Sequence, residues 1–138
     1  MKPVMQTKRG GEDAPLEERG DCLNAALASI LEVPIERVVI SWSEDEHWWD
    51  STQRAVKDHG YELVVASTHI WPGTYWIATV PSLNLGGGET HAIVMRDGEV
   101  AHDPTIGAKR YEVGTYIDDI DVQAAWVLVP LEYGQVAA

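Results

Sequence analysis

The sequence contains a single cysteine, Cys22, and no phenylalanine. One thiol cannot form an intramolecular disulfide, and it cannot supply the several thiolates of a structural zinc site or an iron–sulfur cluster. We therefore expect a protein of the reducing cytoplasm that holds no metal and no cofactor. Without phenylalanine, the six tryptophans and five tyrosines have to serve as the large core residues. Trp48, Trp76 and Trp126 are the ones that we expect in the core.

Positive charge is also scarce, because 10 Lys and Arg stand against 22 Asp and Glu and the net charge is −12. A chain this acidic repels the phosphate backbone of nucleic acids and the surface of anionic lipids. The longest apolar runs are about eight residues, whereas a membrane span needs roughly 20, and no signal peptide is recognisable. We expect no nucleic-acid or membrane partner. A peptide or amide substrate, or a basic protein surface, remains as the partner.

The 138 residues are expected to form one domain. A polar, charged stretch at 8–20 predicts a loop, which is either a lid or a flexible insertion. After Asp21 the apolar residues follow helical spacing, which predicts a buried helix. Cys22 is the first residue of this helix and Asp21 is its N-cap. Pro34 ends the helix after Val33.

A second helix is predicted at about 45–59, with Asp45 as its N-cap and Gly60 as its C-terminal stop. The second half of the chain reads as strands separated by Gly, Pro and Asn signals. The predicted strands are 63–67, 74–80, 90–96, 99–103 and 124–130. Helices followed by antiparallel strands indicate an α+β fold, in which the N-terminal helix packs on the sheet.

The position of Cys22 favours a reactive thiol. The first turn of a helix has unpaired backbone N–H groups and the positive end of the helix dipole, and both favour thiolate over thiol. Asp21 and the acidic chain oppose this, so a neighbouring imidazolium is needed. The alternative is that Cys22 is a small buried apolar residue in a helix rich in alanine and leucine.

The hairpin around 97–98 offers such an imidazole. A two-residue loop would place Asp103 opposite Ala92, whereas a three-residue loop at 96–98, with glycine in a left-handed bulge, places Asp103 opposite His91. We expect the second register because it pairs apolar residues with apolar ones. Directly opposed Cβ atoms lie about 4.5–5.5 Å apart, which lets a carboxylate accept from an imidazole N–H.

A cysteine, a histidine and an aspartate in this arrangement have the parts of acyl-transfer chemistry. Cys22 would attack a carbonyl, His91 would hold and return the proton, and Asp103 would orient the imidazole. The backbone N–H of Cys22 offers one oxyanion donor, and the amide of Gln6 is the candidate for the second. The alternatives are that Gln6 is a surface amide, or that the three side chains bind a metal, which their wide separation disfavours.

The motifs resemble those of the papain-like cysteine peptidases, most closely the domains that remove double-glycine leaders from exported bacterial peptides. The matching pieces are Asp-Cys at 21–22 opening an apolar helix, His91 starting a strand, and Asp-Pro at 103–104 closing the next strand. The resemblance implies a papain-like fold with the nucleophile, base and orienting acid named above, and with Gln6 as the oxyanion amide. The chain is also similar to small uncharacterised phage and bacterial proteins with a Gly-Asp-Cys-Leu start and a His-Asp-Pro close.

Two positions differ from the family pattern. Gln6 lies farther ahead of Cys22 than in the family, so the stretch 8–20 has to loop out for its amide to reach the thiol. Leu23 replaces the glycine that commonly follows the cysteine.

Three further residues are candidates for substrate contact. Trp49 and Trp71 lie off the predicted apolar faces and are expected to line a substrate groove. Gly87, within a run of three glycines, is expected on a mobile rim beside His91. The sequence therefore predicts a cysteine peptidase or amidase, or an acyltransferase that works through the same thioester. The alternative is a non-catalytic acidic binding or inhibitor protein built on an inactive papain-like scaffold.

Overall fold

The structure is a computed structural model that describes residues 1–11, 14–15, 19–41, 46–67 and 72–132. In this part of the chain it contains two α-helices and a five-stranded antiparallel sheet, which confirms the α+β prediction. The elements are α1 Cys22–Leu31, α2 Trp48–Lys57, β1 Tyr61–Ala66, β2 Trp76–Pro81, β3 Thr90–Arg96, β4 Glu99–His102 and β5 Ala124–Pro130. The strand order is β1-β5-β2-β3-β4. None of the helices in these ranges is long and apolar enough to cross a membrane.

Helix α1 is short and almost fully buried, since its small side chains let the helix lie close against β3. Ala25, Ala26, Leu27 and Ala28 have no exposed surface. The helix begins at Cys22, as expected, but it ends at Leu31, where the next residue adopts a left-handed conformation. The predicted end after Val33 is therefore two residues too late.

Asp21 occupies the N-cap position of α1, but its carboxylate does not cap the helix. Instead it accepts hydrogen bonds from the backbone N–H groups of Thr7 and Lys8, at 2.8 and 2.9 Å, and from the Thr7 hydroxyl. This carboxylate therefore holds the N-terminal segment against the start of α1, which matters for the site described below.

Helix α2 begins at Trp48, with His47 as its N-cap, and ends at Lys57. The predicted N-cap Asp45 lies outside the described residues. Thr52, Ala55 and Val56 form the buried face of α2. This face packs with α1 on one side of the sheet, around a core that includes Ile77, Val94 and Trp126.

The opposite side of the sheet has a second apolar core. Its largest member is Trp76, which is 1% exposed, together with Ile93 and Met95 of β3. No α-helix covers this side in the described residues; the connection between β4 and β5 does, through side chains such as Tyr111, Ile117 and Ile120.

The β3–β4 hairpin differs from the prediction. Arg96 pairs with Glu99, so the loop has two residues, Asp97 and Gly98, with φ of 53° and 77°. Positive φ at both positions is typical of the tight turn that matches the twist of a hairpin. The predicted three-residue loop, and the direct pairing of His91 with Asp103, are therefore wrong.

A β-bulge in the β3–β4 pairing determines the face of the sheet on which Asp103 lies. Met95 pairs with Val100, but Val94 pairs with His102, so Ala101 has no partner. Regular continuation of the first pairing would have placed Asp103 opposite Ala92, on the other face from His91. One extra residue in a strand reverses the faces that follow it. Asp103, just beyond the end of β4, therefore reaches the same side as His91.

Candidate active site

The Cys22 side chain lies between the start of α1 and the start of β3. Its Sγ accepts a hydrogen bond from the backbone N–H of Ala92 at 3.4 Å, and the thiol is close enough to the His91 imidazole to raise its pKa. The side chain is half-buried, and it borders a cavity of about 700 Å³. An N–H donor, an imidazole and an open face are the surroundings that a nucleophilic thiol requires.

His91 is the central residue of the site. Its Nε2 lies 2.7 Å from Oδ1 of Asp103, and only 11% of its side chain is exposed. Because Nε2 faces the carboxylate, Nδ1 is the nitrogen left for the thiol. Burial disfavours the imidazolium, but the hydrogen bonds to Asp103 and Cys22, with the charges of both, outweigh it and raise the pKa of His91 from 6.5 to about 9.

Asp103 is almost completely buried, with 2% of its surface exposed. Burial favours its neutral form, but hydrogen bonds from His91, and from the backbone N–H groups of Thr105 and Tyr111, keep the pKa of Asp103 below its ordinary value. The distances to the two backbone nitrogens are 2.9 and 2.8 Å. The carboxylate is therefore held in its ionised form and in a fixed orientation beside the imidazole.

Thr105 is a member of the site that the sequence analysis missed. Its hydroxyl donates to Oδ1 of Asp103 at 2.8 Å and lies 3.1 Å from Nε2 of His91. The residue is 4% exposed. A signal was present, since an aspartate often accepts from the backbone N–H two residues later. Tyr111 contacts the site through its backbone, which no side-chain pattern reveals.

Gln6 lines the same cavity as Cys22 and His91. The segment is fixed by its own backbone, because the N–H of Gln6 donates to Pro104 O at 2.9 Å. Its Nε2 donates to Lys8 O at 2.9 Å, while Oε1 is buried and has no hydrogen-bond partner among the described residues. The second N–H of this amide has no acceptor among the described residues.

The stretch 8–20 begins and ends close to the site in its described residues. Its two ends meet, since Gly10 forms a bridge with Arg19 and the N–H of Gly20 donates to Gly10 O at 2.7 Å. Gly11 lies so close to Glu89 that a Cβ there would come within 2.8 Å of Oε1. A larger residue here would require the carboxylate end of the Glu89 side chain to move, and both residues line the cavity.

The aromatic residues of the site are not the predicted ones. Trp48 and Trp126 line the cavity, whereas Trp49 does not and packs on both, with ring centroids 5.6 and 5.5 Å away. Trp71 lies outside the described residues. Gly87 is exposed and also does not line the cavity; its neighbours in the loop between β2 and β3 do, among them Leu83, Asn84 and Leu85.

The described residues contain no group of three or more His, Cys, Asp or Glu side chains arranged to bind a metal ion. Comparisons of the chain with protein-family models, with curated proteins and with solved structures found no match. The function is therefore argued from the geometry of the site.

Proposed function

We propose that the protein is a cysteine-dependent hydrolase of papain-like fold that cleaves a peptide or another amide through a thioester on Cys22. Transfer of the acyl group to an acceptor other than water would use the same intermediate. The observation that carries the proposal is the arrangement of Cys22 beside His91, which is hydrogen-bonded to Asp103, all three on the lining of one cavity. A nucleophile, a base and a group that orients the base are the minimum set for this chemistry.

The first half-reaction forms the thioester. His91 takes the proton of the thiol, and the sulfur attacks the carbonyl carbon, whose π electrons move to the oxygen. The Cys22 backbone N–H and the free N–H of Gln6 are the donors for this oxyanion. When the oxyanion collapses, the C–N bond breaks and the His91 imidazolium gives its proton to the leaving amine.

The second half-reaction releases the acid. Neutral His91 removes a proton from water, the hydroxide attacks the thioester carbonyl, and the C–S bond breaks as the sulfur leaves. The raised pKa of His91 fits its role as the base that takes the thiol proton, a step that leaves the negative charge on the sulfur. The Ala92 N–H, which already points at Sγ, adds a second donor to that negative charge.

Two features of the described fold support the papain-like assignment. A buried helix carries the cysteine at its first residue and packs on an antiparallel sheet. The next two elements of the site are adjacent strands, of which β3 carries His91 and β4 leads directly into Asp103. The order of these parts along the chain is the one that the sequence resemblance implies.

The test is the rate at which iodoacetamide alkylates Cys22 as a function of pH, in the native protein and in His91→Ala. Because Cys22 is the single cysteine, the mass of the intact protein reports this one reaction. We expect native alkylation to remain fast at about pH 6 and to slow at least about tenfold without His91, since the thiolate is the reacting species.

His59→Ala is the matched control, because the His59 imidazole is hydrogen-bonded to the backbone oxygen of Arg37 and does not line the cavity. It should leave the rate unchanged. Equal rates in the native protein and in His91→Ala, both rising with pH as for a free thiol, would contradict the proposal and favour the non-catalytic binding protein.

A further inference from the structure

The cavity beside Cys22 carries charge of the opposite sign to the whole chain. Arg9, Arg19 and Lys109 line it, and these are three of only 10 basic residues in a protein of net charge −12. The carboxylates among its described lining residues are Asp103, which is buried against His91, and Glu89. The local field of the described lining therefore favours an anion, whereas the rest of the chain repels one.

These three cations have no carboxylate partner within the described residues. Arg9 donates from Nη1 to Gly107 O at 3.1 Å, and Arg19 donates from Nε to Ala14 O at 3.3 Å. A guanidinium has five N–H donors, so each keeps several for a ligand. The backbone of Lys109 is fixed by two hydrogen bonds to the amide of Asn84, at 2.7 and 3.0 Å.

The cationic and the aromatic lining residues come from different elements. The Arg9 contact joins the N-terminal segment to the connection that follows β4, and Gly10 joins it to Arg19. In the sheet, β4 lies on one side of β3, while β5 with Trp126 lies on the other, beyond β2. Trp48 packs on Trp126 with ring centroids 5.7 Å apart. The cationic lining is thus supplied by the N-terminal part of the chain and the connection after β4, and the aromatic lining by α2 and β5.

We propose that the cavity selects acyl donors that carry a carboxylate on one side of the reacting carbonyl and an apolar group on the other. The carboxylate binds Arg9, Arg19 and Lys109, and the apolar group contacts Trp48 and Trp126. This inference rests on the proposed function, because it names the substrate class of the same thiol.

The experiment compares iodoacetate with iodoacetamide at Cys22. With both reagents the sulfur attacks the same CH₂ carbon, a C–S bond forms and iodide leaves into solution. Only iodoacetate carries a carboxylate. The measured quantity is the ratio of the two alkylation rates, in the native protein and in the chain unfolded in urea. We expect a native ratio at least about threefold higher at low ionic strength, and a loss of this excess at about 0.5 M salt.

The variants Arg9→Gln and Lys109→Gln should each lower the native ratio by about twofold. Lys57→Gln removes the same charge from an exposed position at the end of α2, outside the cavity, and should leave the ratio unchanged. A native ratio at or below that of the unfolded chain, or an equal effect of all three variants, would overturn the inference. Failure of the proposed function has a different sign: the iodoacetamide rate is then the same in the native protein and in His91→Ala.

Discussion

Oδ1 of Asp103 lies 2.7 Å from Nε2 of His91, although Asp103 is already outside β4 and the two residues do not pair in the sheet. The contact depends on the unpaired Ala101, which turns the chain so that the carboxylate faces the imidazole. It also depends on the end of β4 at His102, because Asp103 is then free to accept from the backbone of Thr105 and Tyr111. The orienting acid is therefore positioned by its own loop as much as by the sheet.

Thr105→Val tests whether the loop positions the acid. Valine keeps the shape and the backbone N–H, but it removes the hydroxyl that donates to Asp103 and touches His91. We expect a loss of about 1–2 kcal/mol in the free energy of unfolding, because a buried carboxylate loses a hydrogen bond. The iodoacetamide rate of Cys22 should fall, and its pH profile should shift, since His91 is held less firmly.

The control is Thr105→Ser, which restores the hydroxyl at the same position. It should recover the pH profile, even if the missing methyl group lowers stability. A Thr105→Val protein that is destabilised but has the native pH profile would show that Thr105 supports the fold and does not position the site.

The titration of His91 is a second prediction. In the native protein its imidazole should lose its proton at about pH 9, and Asp103→Asn should move this midpoint towards 6.5, because the main hydrogen-bonding and charged partner is gone. The measurement is the pH dependence of the His91 ring signals in NMR spectra. A native midpoint near 6.5 would contradict the assigned contacts.

The same shift predicts how stability depends on pH. A native pKa above the unfolded value means that the folded protein binds the extra proton, so stability is full below about pH 6.5 and falls as pH rises towards 9. Cys22→Ala removes the titration of the thiol and leaves the His91–Asp103 pair. Without the contribution of Cys22 the raised pKa of His91 depends on Asp103, so the window ends below pH 9. In that background we expect urea denaturation to show a loss on the order of 1–2 kcal/mol as the pH rises above about 6.5, and none when His91 is also replaced by glutamine.

The hairpin turn gives a fourth prediction. Gly98 has φ of 77°, and an added Cβ would lie 3.6 Å from the ring of Tyr116, so space is available but the backbone conformation is unfavourable. Gly98→Ala should cost about 1 kcal/mol in the free energy of unfolding. Gly86→Ala is the control, because Gly86 has no positive φ and no atom within 4 Å of an added Cβ. Equal effects of the two substitutions would show that the turn is not strained.

The sequence predicted the strands and the start of α1 well, because both depend on local patterns. The bounds 90–96 and 124–130 agree with β3 and β5, and Cys22 opens its helix. Alternating apolar residues predict a strand, and an apolar run after a loop predicts the start of a buried helix. Neighbouring elements do not alter these local patterns.

The register of the hairpin could not be predicted, because two signals conflicted. The Asp97-Gly98 pair favoured the two-residue turn, whereas the matching of apolar residues favoured the longer loop. The bulge at Ala101 resolves this conflict in the structure, and nothing in an alanine indicates it. Similarly, adjacent tryptophans at 48 and 49 differ in side-chain direction, which the sequence alone does not show.

Gln6 provides the last prediction, because alkylation and acylation make different demands on the site. Iodoacetamide forms no oxyanion at sulfur attack, whereas an acyl donor such as p-nitrophenyl acetate does. Removal of an oxyanion donor typically costs about 10²–10³ in rate. Gln6→Ala should therefore slow the acylation of Cys22 by at least about tenfold and leave alkylation nearly unchanged.

The control for this prediction is Gln123→Ala, at an exposed position, which should change neither rate. If Gln6→Ala slows both reactions equally, the amide only supports the N-terminal segment through Lys8 O; if it slows neither, Gln6 is not an oxyanion donor.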